Sequence, residues 1–324
     1  MKTKILNVAV ASLFLCLPVV GAIGGTLATT ETAPEVQLTV KDLTPKFLLF
    51  YDDAMRQQTD ADQRWLLWKK DYNFAAVPPT PAGQVMARHL LDAAWPRYPS
   101  VLERIRAGAA GMDPDPQTSL RAVAALLKPE RPVKLTLAVY VGGFEENAFT
   151  SAVGGNILVA VPIEVTPQRR ELSMVHEMTH GVQISMGSFS GGWIRTVGTT
   201  VLTEGLATRV TQHLVPGLPE TAYVEGRAGW LAEANGKRTA ILTDVLGALN
   251  SNSSADVMRY TFEVGPGGIE REAYYAGWVV VGYWLAHGMS YTDIARIPED
   301  QMPARVGAAI ETLLGASGNP GAVH

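Results

Sequence analysis

Cysteine is nearly absent from this sequence of 324 residues: Cys16 is the only one. It lies in an apolar N-terminal stretch, so a chain that loses this stretch has no cysteine at all. Disulfides, thiol catalysis and cysteine-based zinc sites are excluded for that form, and any metal must be held by histidine and carboxylate. Charge of one sign is also missing. Lys and Arg total 27 and Asp and Glu total 31, a formal net charge of -4, with both signs scattered. No basic patch marks a nucleic-acid partner. No internal repeat is visible, and a hydrophobic content of 47% excludes a disordered chain.

The N-terminus reads as an export signal. Lys2 and Lys4 precede an apolar run from Ile5 to Ile23, and Val20-Gly21-Ala22 offers small residues for cleavage. Pro18 and the glycines leave the apolar core short for a membrane span of about 20 residues. Leu15, directly before Cys16, argues against lipidation. Residues 1–28 are therefore expected to be a signal peptide or an N-terminal anchor. The protein is expected to be periplasmic or secreted, with a membrane tether only if the segment stays uncleaved.

Residues 29–44, rich in Thr, Glu and Pro at their start, read as a linker. Residues 45–131 read as a helical N-terminal region whose Trp and Tyr residues are core. Helical periodicity runs from Pro45 to Lys70, and further helices are expected at Ala82–Ala94, at Pro99–Gly108 and from a Ser119 cap to Leu127. The pattern changes at Pro132. Val133–Val141 alternates and is β-branched, and Asn156–Val161 follows as a second strand. Helices are then expected at Gln168–Met186, Thr199–His213, Ala222–Asn235, Arg238–Asn250 and Arg271–Gly288, with a polar loop over Asn252–Gly268. The fold class is α+β and mainly helical, with residues 132–324 as the second domain.

His176-Glu177-Met178-Thr179-His180 carries the chemistry. On a helix, positions i and i+4 share a face, so both imidazoles reach one ion at the Zn–N distance of about 2.0–2.1 Å. Glu177 is not a ligand in this arrangement. It stands beside the metal-bound water as its general base. A catalytic zinc needs one more protein ligand and an open position. No histidine occurs between His180 and His213. Glu204, 24 positions after His180 (204 − 180), lies in Thr203-Glu204-Gly205-Leu206-Ala207 on the next expected helix and is the better candidate. His213, late in that helix and near Pro216, is the alternative.

HEMTH followed by TEGLA resembles the gluzincin group of metallopeptidases, which includes thermolysin-like and aminopeptidase-like enzymes. It also resembles a family of predicted zinc-dependent proteases with an EGLA motif. The resemblance covers about residues 133–289 and is strongest over 172–208. It implies a zincin-like domain with a small sheet and an active-site helix, a Zn2+ ion on His176, His180 and Glu204, and Glu177 as base. It also implies a peptide or protein substrate paired to an edge strand, a position given to Asn156–Val161. Tyr274-Tyr275-Ala276-Gly277 resembles the Tyr-x-x-Gly segment of the aminopeptidase-like members, which makes Tyr274 the oxyanion donor. Helical phase alone allows Tyr275 instead, and His287, further along, reads as structural.

Two departures limit the likeness. Thermolysin-like enzymes carry an acidic residue four positions after the ligand Glu, where this chain has Thr208. The exopeptidase signature of the aminopeptidase-like members is missing, and Gly142-Gly143-Phe144-Glu145-Glu146-Asn147 matches it only loosely. The expected function is zinc-dependent peptide hydrolysis by an exported protein. The alternative is a non-proteolytic envelope or binding protein on a zincin scaffold.

Overall fold

The computed structural model describes residues 34–192 and 194–317. The expected signal segment lies outside them. Among the described residues no helix is long and apolar enough to cross a membrane.

The chain is mainly helical with one small mixed sheet. In order, the elements are β1 (Val36–Asp42), α1 (Thr44–Gln57), α2 (Ala61–Asp71), α3 (Pro81–Ala94), α4 (Leu102–Ala107), α5 (Pro116–Leu127), β2 (Val133–Tyr140), β3 (Phe149–Val153) and β4 (Asn156–Pro162). Then follow α6 (Pro167–Met186), α7 (Val197–Leu214), α8 (Glu220–Val224), α9 (Trp230–Gly236), α10 (Arg238–Ala248), α11 (Ser254–Thr261), α12 (Glu272–Ala286), α13 (Tyr291–Ala295) and α14 (Met302–Ser317).

The strand order is β1-β2-β4-β3. β1 and β4 both run parallel to β2, and β3 closes the sheet antiparallel to β4. Two expectations are corrected here. Residues 36–42 of the supposed linker are a strand, in register from Val36 with Val133 to Asp42 with Val139. Val36, Leu38 and Val40 alternate with polar residues, as a strand requires, but the Thr, Glu and Pro before them obscured it. Asn156–Val161, expected at the edge, lies inside the sheet, because β3 forms a hairpin with it. Gly154 and Gly155, at φ +58 and +79, make the two-residue turn that such a hairpin needs.

Other boundaries shift for local reasons. The long helix expected from Pro45 breaks at Gln58, which is left-handed, and Asp60 caps a new helix through Gln63 N at 2.8 Å. α5 is capped by Asp115, which accepts from Thr118 N at 3.0 Å, and Ser119 is buried one turn inside. The polar stretch 252–268 contains α11, capped by Ser253. The helix expected over Ala222–Asn235 is two short pieces, interrupted around Gly229 at φ +78.

The expected boundary near residue 132 separates no cores. Phe47, Tyr98, Val139 and Met178 belong to one continuous hydrophobic cluster. Phe47 packs edge-on against Phe50, Tyr72 and Tyr98, with ring centres 5.6, 5.3 and 4.8 Å apart. Two of these aromatics hold the end of β2. Tyr72 Oη accepts from Val141 N at 2.7 Å and donates to Val141 O at 2.9 Å. Tyr98 Oη donates to Gly142 O at 2.9 Å. The N-terminal helices thus fix where the chain leaves the sheet.

Phe47→Ala should cost about 3–5 kcal/mol. Urea unfolding followed by tryptophan fluorescence and by circular dichroism should show one coincident transition, shifted as a whole. An earlier separate transition for the N-terminal helices would contradict the shared core.

Candidate metal centre

α6 carries the HExxH residues across the sheet. Thr166 caps it by accepting from Arg169 N at 3.3 Å, Pro167 opens it, and Gly187 ends it at φ +77. Met174, Val175, Met178 and Val182 are buried, which turns His176 and Glu177 toward a half-open cleft. α7 packs beside α6 and is buried almost all round. Three of its threonines are satisfied within the helix: Thr203, Thr208 and Thr211 hydroxyls donate to the carbonyls of Thr199, Glu204 and Ala207 at 2.9, 2.8 and 2.8 Å. Glu204, 5% exposed, is its buried carboxylate.

The two helices bring His176, His180 and Glu204 together. His176 Nε2 lies 3.1 Å from Glu204 Oε2, His180 Nε2 lies 3.4 Å from it, and the two imidazole nitrogens are 3.2 Å apart. A tetrahedral ion with bonds of about 2.0–2.1 Å separates its ligand atoms by about 3.3 Å. The three contacts match the edges of that tetrahedron. Two imidazole nitrogens at this distance, both facing one carboxylate oxygen, cannot each carry a proton toward the other. Three lone pairs directed at one ion satisfy the arrangement. The residues therefore fit a metal of the N,N,O type. Burial alone would raise the Glu204 carboxyl, but His180 and His176 outweigh it and hold the group well below the usual carboxylate range.

His213 is not part of this group; its ring packs 5.2 Å from that of Tyr291. His287 bonds locally, Nδ1 to Tyr283 O at 2.8 Å. Thr208 gives no support to a histidine, because its hydroxyl is engaged by Glu204 O. His180 Nδ1 is buried with no partner among the described residues. Support instead reaches the carboxylate: Arg195, from the loop before α7, places Nη2 3.8 Å from Glu204 Oε1.

Glu177 is held from the sheet. Thr150 Oγ1 on β3 lies 2.8 Å from Glu177 Oε2 and 2.9 Å from Glu177 O. Burial pushes the Glu177 carboxyl up, while His176 pulls it down. Thr150 and Arg195 were not anticipated, since neither sits in a motif; only the Gly-Gly hairpin signal would have exposed β3.

Of the two tyrosines, Tyr274 faces the site. It lines the same cavity of about 550 Å³ as His176 and Glu177. Tyr275 turns into the core and donates to Asn235 Oδ1 at 2.8 Å. Burial, with Glu204 and Glu177 adding to it, pushes the Tyr274 hydroxyl above its ordinary range. The phenol therefore stays protonated and is a donor at neutral pH.

The glycines of TEGLA and of Tyr-Tyr-Ala-Gly meet here. A Cβ on Gly205 would lie 2.4 Å from Gly277 C, and one on Gly277 would lie 2.2 Å from Val201 O. This backbone contact lets α12 lie against α7 and sets Tyr274 near Glu204.

The loop after β2 adds Glu145, Glu146 and Asn147 to the lining of the cleft, and Glu146 pairs with Arg169 of α6. Glu164 organises this loop from below, accepting from Gly142 N at 2.9 Å and from Phe144 N at 3.2 Å. Burial pushes the Glu164 carboxyl up to about 7, with the nearby Glu145 adding to it and the backbone N–H groups opposing.

No protein-family model, curated protein or solved structure matches the chain. The chemistry of the site is therefore read from its own geometry.

Two outcomes follow. Gly205→Ala should destabilise the protein by about 1–3 kcal/mol in urea unfolding, because backbone must move to admit the methyl. Glu164 binds its proton more tightly folded than unfolded. Between pH 4.5 and about 7 it therefore removes stability as pH rises, with the loss complete above that window. The loss is roughly 3 kcal/mol at most. The stability difference between wild type and Glu164→Gln, measured across this range, should fall with that sign; a flat difference would contradict it.

Proposed function

We propose that the chain is a zinc-dependent peptidase of the gluzincin kind, with a zincin-like catalytic core. The observation that carries this reading is the trio of donor atoms at 3.1, 3.2 and 3.4 Å, bordered by Glu177 in an open cleft. His176, His180 and Glu204 would hold the ion. A zinc ion bound there supplies Lewis-acid polarisation and a lowered pKa for water.

The chain's own residues do the rest. Glu177 takes a proton from the attacking water on its carboxylate and passes it to the leaving amine nitrogen. Thr150 limits the rotation of that carboxylate and keeps one oxygen engaged, so the other is free for the proton. Tyr274 donates a hydrogen bond to the oxyanion that develops on the scissile carbonyl. Arg195 steadies the far oxygen of Glu204. The unpaired side of β3 is the strand an extended peptide would join, in place of β4. A scaffold used only for binding has no need of a base fixed in this way, which favours hydrolysis. Export is proposed from residues 1–28 by sequence alone.

The test uses the purified chain with measured zinc content and a mixed peptide library. Glu177→Ala should keep stoichiometric zinc and lose about 10²–10⁴-fold or more in kcat. Glu204→Ala should lose zinc affinity. Equal cleavage by wild type and Glu177→Ala, or unchanged zinc affinity in Glu204→Ala, would overturn the reading.

A further inference from the structure

Charges in the cleft are almost all committed. Glu146 takes Arg169, Oε2 to Nε at 2.8 Å. Glu145 Oε2 accepts from Gly143 N at 2.5 Å, and Glu225 Oε1 accepts from Leu231 N at 3.0 Å. Glu177 is engaged by Thr150. Arg195, outside the cavity wall, is beside Glu204.

Arg271 is the exception. It lines the same cavity as His176 and Glu177, yet no carboxylate among the described residues pairs with it. Its guanidinium is held by apolar and backbone surfaces instead. It lies over the Tyr274 ring at 4.0 Å, and it occupies the space left by Gly226, where a Cβ would come within 2.7 Å of Nη1. The backbone at Arg271 is left-handed, φ +62, directly before α12. That conformation is costly for a residue with a side chain and is kept only where the surroundings enforce it. A guanidinium stacked on one face and seated against backbone on another keeps its N–H edge available, and that edge matches a carboxylate with two parallel hydrogen bonds.

We propose that Arg271 is the carboxylate-recognising residue of this cleft, binding an anionic group of the peptide close to the bond that Tyr274 faces. The proposal rests on the peptidase reading for its place next to the scissile bond. The carboxylate is either the free C-terminus or an acidic side chain, and both present the same two oxygens. Arg271, directly before α12, stands three positions from Tyr274, so the start of this helix offers a donor to the reacting carbonyl and a cation to the neighbouring anion. Such a pair selects among peptides by where their negative charge falls.

Binding can be read without turnover. Three probes are titrated calorimetrically into the full chain: acetylated tetra-alanine with a free C-terminal carboxylate, the same peptide amidated, and an amidated version with one interior Asp. EDTA is present throughout, so that no carboxylate can reach a metal. At least one carboxylate peptide should bind about tenfold or more tightly than the neutral amide, as expected for hydrogen bonds to a charged group. Which of the two does so identifies the source. Arg271→Gln should abolish the preference, Arg271→Lys should keep part of it, and Arg169→Gln should leave it intact. Circular dichroism checks folding, and if Arg271→Gln does not fold, reduction of the preference in Arg271→Lys decides. Equal or undetectable binding of all three peptides, or a preference that survives in the Arg271 variants, would overturn the proposal. A preference that depends on Arg271 in a chain that cleaves none of these peptides with zinc would leave the proposal standing and count against the peptidase reading alone.

Discussion

Glu204 is a carboxylate taken out of water, and the centre of the molecule is arranged around that fact. A buried charge is tolerated only where opposite charge or hydrogen bonds replace its hydration. Here the replacements come from three directions. His176 and His180 face one oxygen from α6, and Arg195 approaches the other from the loop between the helices. The close packing of α6, α7 and α12 is what makes such convergence available, and the glycine contact between Gly205 and Gly277 is what allows the last of these to come so near.

The sheet contributes differently. β3 is short and lies at the margin, yet it carries Thr150, which binds the carboxylate of Glu177. The carboxylate of Glu177 is thus held by an element other than the one that bears it. The N-terminal helices act at a further remove. Tyr72 and Tyr98 bind the backbone where β2 ends, and Arg104 binds the carbonyl of Glu164, whose carboxylate in turn holds the loop that follows. Through these contacts a region with no catalytic motif shapes the wall of the proposed active site.

How much of this was legible depended on the range of the signal. The helix bearing HEMTH could be read with its ends, because Thr166, Pro167 and Gly187 mark them locally and the apolar residues keep helical period. Glu204 was legible once a ligand was sought on the following helix. The edge strand was not: Phe149–Val153 pairs locally with β4 through the Gly154-Gly155 turn, but it is short, and alternation in so few residues does not announce a strand. β1 was lost for a similar reason, since half its residues are polar and its partner lies nearly a hundred positions away. Tyr274 and Tyr275 could not be separated by phase, because α12 is apolar on nearly every side and only its neighbours decide which face meets the cleft.

The residue types and spacings determined by themselves that a metal here, in a chain without the segment bearing Cys16, must use nitrogen and oxygen, that two histidines share a helical face, and that a carboxylate stands beside them. These are properties of composition and of local helical geometry. Tertiary structure decided that Glu204 and not His213 completes the group, which tyrosine faces it, that Thr150 and Arg195 contact its members, and that Arg271 is left without an acidic partner among the described residues. Each of those depends on elements remote in sequence meeting at one place, and packing of the whole core, rather than any local pattern, sets where they meet.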